Sequence, residues 1–357
     1  MMDRTMSFED FIDLLPITIL ALTLWRVRWV LKPSSASLSA GMSTDRTRPL
    51  RGVMALMVIT HHIAQRTAAG ILIRPYTDMG YLPVAAFFFL SGYGLLTRWR
   101  ADPDYRRDFL KRRFTALIGS LLPVMGIYTA LHLLCGPSES LPAACMAIIN
   151  EANAWFLVEL AVFYLAFALL MRLCERPWIV IGMTAVCCAV YTAACVALSL
   201  GDWWYKSSPA FVLGMVWALC GEGKRRVPAR FDWILTVLCW AFCVLIHCNI
   251  WTVGWFMPMK AYIPSALSAC LFVLGTALMT GKVHIDNPAL RCLGGISYEI
   301  YIVQGLFLSM LRGRIVYITS DFVYSVLVIT GTLLVSAALH RLVGLALERI
   351  SVKNTLR

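Results

Sequence analysis

The sequence predicts an all-α, polytopic membrane helical bundle of about ten spans, preceded by a short N-terminal hydrophobic segment. Three observations predict it. Of the 357 residues, 59% are hydrophobic and 15% charged, and the mean hydropathy is +0.72. The apolar residues gather in runs near the ~20 residues that cross ~30 Å of hydrocarbon. The basic residues lie between those runs. A formal net charge of +12 would point to nucleic acid in a soluble chain. Here the cations set orientation, so the bilayer is the expected partner and no nucleic acid is.

Residues 1–49 form an N-terminal membrane-associated segment and linker, and residues 50–350 a transmembrane domain. The segment opens with Asp3, Glu9, Asp10 and Asp13, and its apolar core from Leu14 to Trp25 is short for a span. It lacks the basic n-region and the cleavage site of a signal peptide. Two placements stay open, in the interface or crossing once with a tilt. A Ser/Gly/Thr/Pro-rich linker from Pro33 to Pro49 follows. Pro49 suits the first turn of the next helix.

The candidate spans run near 50–70, 80–97, 114–134, 155–172, 178–199, 208–220, 231–250, 261–280, 289–311 and 322–347. Their connections alternate in charge. Arg98, Arg100, Arg106, Arg107, Lys111, Arg112 and Arg113 crowd the second connection, Arg172 and Arg176 the fourth, Lys224, Arg225, Arg226 and Arg230 the sixth, and Lys282 and Arg291 the eighth. By the positive-inside rule these are cytosolic, as is the C-terminal tail. The connection over 135–154 carries only Glu139 and Glu151, and is read as an outer loop. Arg312 and Arg314 dissent from the pattern.

The organising stretch runs from Arg51-Gly52 to His61-His62. Eleven residues make just over three helical turns, so Arg51 and His62 share a face, roughly 16 Å apart along the axis. With Arg51 at one membrane surface, His62 falls near the midplane. An ionisable group at that depth is costly and by default functional, the alternative being an imidazole hydrogen-bonded to a neighbouring helix. The twelve cysteines show no zinc or redox spacing, most lie inside apolar runs, and no metal site is expected.

Other polar residues mark the spans. Trp155 is an interface anchor or an acceptor platform, and Glu159, one turn deeper, is an acid inside a span. Ser297, Tyr301 and Gln304 recur at i, i+4 and i+7 as one polar stripe. Ser91 reads as packing. His132, His247, His284 and His340 match no motif and read as structural or peripheral.

Arg51-Gly52 with His62 closing the helix, then Phe87-Phe88-Phe89-Leu90-Ser91-Gly92-Tyr93, resembles the opening of the acyltransferase-3 family of integral membrane O-acyltransferases. Further marks follow in family order: Arg112-Arg113, Trp155-Phe156-Leu157 leading to Phe163-Tyr164, Phe211-Val212-Leu213-Gly214, and Gly294-Gly295-Ile296-Ser297-Tyr298 with Tyr301. The resemblance covers roughly residues 50 to 345. It implies transfer of an acyl group, often acetyl and often from a coenzyme A thioester, to a hydroxyl of a sugar or other envelope acceptor. It makes His62 the catalytic candidate, with Arg51 and the neighbouring His61 beside it. The family frequently has histidine where this chain has Gln304, so a mechanism built on that second histidine is not expected.

Imidazole, with a pKa near ~6.5, suits removal of a hydroxyl proton at neutral pH. A transient acyl-histidine is the alternative. Arg98, Arg100, Arg112 and Arg113 offer a cytosolic counter-surface for the phosphates of acyl-CoA, with acetyl-CoA the expected donor. Glu159, Trp155, Ser297, Tyr301 and Gln304 are the expected substrate-binding residues. The expected location is a bacterial cytoplasmic membrane with a cytosolic C-terminus. A competing class is a multi-pass transporter or flippase, against which stands the absence of paired inverted halves. A catalytically dead scaffold of the same fold is a third.

Overall fold

The computed structural model describes residues 8–29, 41–102, 104–135, 140–221, 231–249, 262–313 and 316–355. Among the described residues it is all-α apart from one two-stranded ribbon.

The N-terminal segment is a 3-10 turn, Phe8–Asp13, continued by α1 (Leu14–Leu24) and a short strand β1 (Val27–Trp29). Turn and helix hold 6 and 11 residues, which together reach roughly 28 Å. One end of the segment meets the loop that follows the first long helix. The other end pairs antiparallel with β2 (Val283–Ile285) at the opposite end of the bundle, Arg28 facing His284. The segment therefore runs end to end along the bundle. Ile12 and Ile19 are buried against residues of the 51–64 stretch, so the segment is part of the packed unit.

α2 (Thr44–Ala64) starts earlier and ends earlier than hydropathy alone predicts, with Pro49 inside it. Ser43 precedes it, and Asp45 in the first turn complements the helix dipole. The proline removes one backbone hydrogen bond near the polar end, where its cost is least. Apolar counting missed these first turns because they carry Asp45, Arg46 and Arg48. α2 is buried on most faces and forms the centre of the bundle.

Among the described residues the other helices are α3 (Tyr81–Ala101), α4 (Tyr105–Cys135), α5 (Leu141–Glu151), α6 (Trp155–Leu173), α7 (Pro177–Ala197), α8 (Pro209–Cys220), α9 (Asp232–Cys248), α10 (Tyr262–Thr280), α11 (Pro288–Gly295), α12 (Ser297–Met310) and α13 (Asp321–Thr355). Five are long and apolar enough to cross a membrane, namely α4, α6, α7, α10 and α13, or six with α11 and α12 as one span bent by 77°. The remaining expected spans are helices that are shorter or more polar. α5 lies where the sequence was read as loop. Val186 and Val190 of α7 and Leu334 and Leu342 of α13 are exposed, as a lipid-facing surface requires.

Two helix crossings rest on missing Cβ atoms. A methyl on Gly52 would lie 2.2 Å from the Leu290 carbonyl oxygen, and one on Gly294 only 1.7 Å from that of Arg48. A methyl on Gly92 would meet the Phe211 oxygen at 2.0 Å, and one on Gly214 the Phe89 oxygen at 2.0 Å. Close backbone approach of this kind is what small residues give membrane helices. It joins α2 to α11 and α3 to α8. Between α11 and α12 the chain turns at Ile296, where Ser297 Oγ donates to the Gly294 carbonyl at 3.2 Å.

Arg312, which dissented from the charge pattern, is ion-paired with Asp321 and stacked on Tyr324 at 4.3 Å. Its charge is neutralised locally, which explains its tolerance at the less basic end. Arg314 lies outside the described residues. The topology leads to a labelling prediction. In a background without native cysteines, Ser140→Cys should react with an impermeant thiol reagent in intact cells, and Glu175→Cys should react only after permeabilisation. The reverse pattern would invert the orientation.

Candidate active site

The last turn of α2 carries His61 and His62 to one end of the bundle, beside the start of α3. There they line a cavity of about 830 Å3. Its other walls come from Arg66 after α2, Arg74 and Asp78 of a 3-10 turn (Arg74–Asp78), Tyr81 of α3, Trp155 of α6, the Asp202–Lys206 connection, His247 of α9 and Tyr301 of α12. The volume is that of a small-molecule site.

Each α2 imidazole has a partner at Nδ1. His61 Nδ1 is 2.8 Å from the Tyr76 carbonyl. A carbonyl only accepts, so this nitrogen carries the proton and Nε2 keeps its lone pair. The ring occupies the space over Gly80, where a Cβ would come within 2.4 Å of Nε2. His62 Nδ1 faces Gln65 Oε1 at 3.3 Å, and the two imidazole centroids are 4.8 Å apart.

A third imidazole enters from another wall. The Cys243 carbonyl accepts from Ser268 Oγ at 3.2 Å, and Ser268 Oγ accepts from Tyr81 OH at 3.1 Å. His247 Nδ1 lies 2.9 Å from the same phenol oxygen. With the Tyr81 proton given to Ser268, His247 donates through Nδ1 and also keeps Nε2 as an acceptor. Motif reading set His247 aside as structural or peripheral, and its place in the cavity lining corrects the second of these. No local pattern marks it. The spans read from hydropathy, with His62 near mid-depth and His247 at a span end, did not bring the two together.

Charged groups surround these rings. Lys206 Nζ is 3.3 Å from Asp202 Oδ2 and 5.1 Å from the Tyr81 ring centroid. Asp78 and Lys206 are near enough to act electrostatically on both His61 and His247.

The expected site residues divide. Trp155 and Tyr301 line the cavity, and the Tyr301 hydroxyl is buried without a hydrogen-bond partner among the described residues. Glu159, Ser297 and Gln304 do not line it. Glu159 is fully buried; its Oε1 accepts from Ser208 Oγ, and its Oε2 has no hydrogen-bond partner among the described residues. Ser297 closes the α11–α12 bend, and Gln304 Nε2 donates to the Tyr301 carbonyl at 3.2 Å. His62 is two residues from the end of α2 rather than halfway along it, because the helix both begins and ends earlier than the apolar run suggests, at Thr44 and Ala64. Arg51 is roughly 16 Å back along the helix, outside the cavity. It is half-buried, and its Nε has no hydrogen-bond partner among the described residues.

The arginine cluster occupies the opposite end of the bundle. Arg98 is 17 residues beyond Tyr81 on α3, about 26 Å along the axis. Arg98, Arg100 and Arg112 are exposed, and Arg112 pairs with Asp108 at 3.5 Å. Arg113 differs from them. It is half-buried, donates to Tyr105 OH at 3.2 Å and lies 5.6 Å from the Tyr164 ring centroid. Among the described residues, no group of three His, Cys, Asp or Glu side chains is placed to hold a metal ion.

The family model for the acyltransferase domain of the acyltransferase-3 type matches residues 50–341. The chain belongs to the acyltransferase-3 family. It is thus a membrane acyltransferase by family, which favours that class over a transporter or flippase. No curated protein and no solved structure matches it. The family motifs meet pairwise in space. Arg51-Gly52 packs on Gly294-Gly295, Phe87–Tyr93 packs on Phe211–Gly214, and Phe156 reaches Tyr301 with ring centroids 5.1 Å apart. The N-terminal segment, which precedes the matched residues, packs against the same unit.

Proposed function

We propose that this acyltransferase moves an acyl group, acetyl in the simplest case, from a cytosolic acyl-CoA to a hydroxyl of a carbohydrate or other cell-envelope acceptor. We place it in a bacterial cytoplasmic membrane with its C-terminus cytosolic. The observation that carries the reading is the pair of α2 imidazoles lining one cavity, each with Nδ1 engaged and Nε2 left to act. His62, at the family spacing from Arg51, takes the proton of the acceptor hydroxyl as its oxygen attacks the thioester carbonyl. The carbon–sulfur bond breaks, and the thiolate recovers that proton. His62 can instead attack the carbonyl itself and pass the acyl group on from nitrogen, which leaves the same products.

The acceptor enters from the outer end. Trp155 offers an apolar face, while Asp78, Asp202 and Lys206 offer hydrogen bonds to a polyhydroxylated molecule. The donor enters from the cytosolic end. Its phosphates meet the cations Arg98, Arg100, Arg112 and Arg113, and its flexible arm carries the thioester inward past Arg51. The unpartnered Nε of Arg51 gives that residue a role toward the donor rather than in the acceptor cavity.

Comparing envelope glycans by mass spectrometry with and without the protein tests the reading. A mass difference of one acyl group that disappears with the protein is expected, and identical spectra would refute it. The donor mouth is tested separately. Replacing Arg112 and Arg113 with glutamine should raise the KM for acetyl-CoA roughly tenfold, the scale of one lost charge-assisted hydrogen bond, and should flatten its dependence on salt. An unchanged KM and salt slope in correctly inserted protein would leave these arginines as orientation signals.

A further inference from the structure

Asp13 lies outside the residues that match the family, yet its carboxylate reaches the loop that builds one wall of the cavity. Oδ2 accepts from the Ile71 amide at 2.8 Å, and Oδ1 accepts from those of Leu72 and Ile73 at 2.9 and 3.1 Å. The Arg74–Asp78 turn follows at once. Tyr76 of that turn supplies the carbonyl that fixes His61, and Asp78 and Arg74 line the cavity. Gly70 has been shaped for this contact. Its φ is +82°, and a Cβ there would lie 2.5 Å from Asp13 Oδ1 and 2.7 Å from Ile12.

The other end of the loop has a matching anchor. Asp321 Oδ2 accepts from the Ala68 and Ala69 amides at 2.8 Å each, and Arg312 holds the same carboxylate. The N-terminal segment is itself fixed to α13. Phe8 packs edge-on to Phe322 with centroids 5.1 Å apart, and Glu9 Oε2 accepts from the Phe322 amide at 3.1 Å. Ile12 is buried in one cluster with Ile59 and Ile63 of α2 and Ile73 of the loop.

We infer that Asp13 is a positioning residue of the acyl-transfer site: by accepting three consecutive loop amides it holds the Arg74–Asp78 turn so that the Tyr76 carbonyl sets the ring of His61. The inference rests on the acyltransferase reading for its catalytic consequence, but not for its structural one. Hydrogen bonds to an ionised carboxylate are stronger than neutral ones, and removing the acceptor leaves three amides without a partner.

The test separates the two consequences. In the full-length protein in detergent, Asp13→Ala should speed amide exchange at Ile71, Leu72 and Ile73 at least tenfold, with exchange in α7 unchanged. Asp13→Asn, which keeps one oxygen acceptor, should fall between. In membrane vesicles carrying their own envelope acceptor and given labelled acetyl-CoA, Asp13→Ala should lower the maximal rate about tenfold and leave the KM for acetyl-CoA within twofold. Gly70→Ala attacks the same contact from the loop side, so the double variant should be no slower than the worse single one. Unchanged exchange at residues 71–73, or effects of the two variants that multiply, would overturn the inference. Altered exchange with no acyl transfer in the wild type would instead count against the proposed activity.

Discussion

His62→Ala is expected to bring acyl transfer to background while the protein still inserts and folds. A positioned general acid–base group contributes roughly 10²–10⁴-fold, and a nucleophile no less. The substitution sits in the last turn of α2, on a half-buried side chain, so it leaves the packed face of the helix intact. His61→Ala should cost less, on the order of tenfold, because in the proposed reaction His61 stands beside His62 rather than at the family spacing, with its Nδ1 held by the Tyr76 carbonyl. Initial rates with labelled acetyl-CoA in vesicles of equal protein content measure both. Equal activity of His62→Ala and wild type would remove His62 from the chemistry.

Gly294→Ala is expected to have the largest effect on stability. Its added methyl would fall 1.7 Å from the Arg48 carbonyl oxygen, inside the backbone of α2, which has no rotamer to yield. Overpacking costs ~1–3 kcal/mol in ordinary cores and more where backbone must move. We expect a loss at or above the top of that range, read as a fall in detergent Tm of ten degrees or as failure to accumulate in the membrane. Gly182→Ala in α7 is the control, since nothing lies within 4 Å of its Cβ position, and its Tm should match wild type.

The class of this protein was legible because hydropathy and charge report directly on the bilayer. The glycine motifs were legible as a family mark, but their pairing was not. That Gly52 faces Leu290 and Gly92 faces Phe211 is long-range information, and no local spacing carries it. The position of His62 along its helix was not legible, for a physical reason. Apolar counting starts a helix where charges end, whereas α2 begins within its arginines. Glu159 shows a similar limit: an acid inside a span carries no local sign of its partner, and Ser208 is 49 residues away. His247 and Asp13 were invisible as site residues because one joins the cavity through a hydroxyl chain and the other through backbone amides.

The central claim is that a cytosolic thioester acylates an acceptor at the outer end of the bundle through His62. Inside-out membrane vesicles present the cytosolic face to the medium, so labelled acetyl-CoA can be supplied to that face alone. The account predicts labelled acceptor sealed in the lumen, absent with His62→Ala, and no comparable transfer when the same donor is given only to right-side-out vesicles. Transfer from the outer face alone, or luminal labelling that persists in His62→Ala, would contradict it.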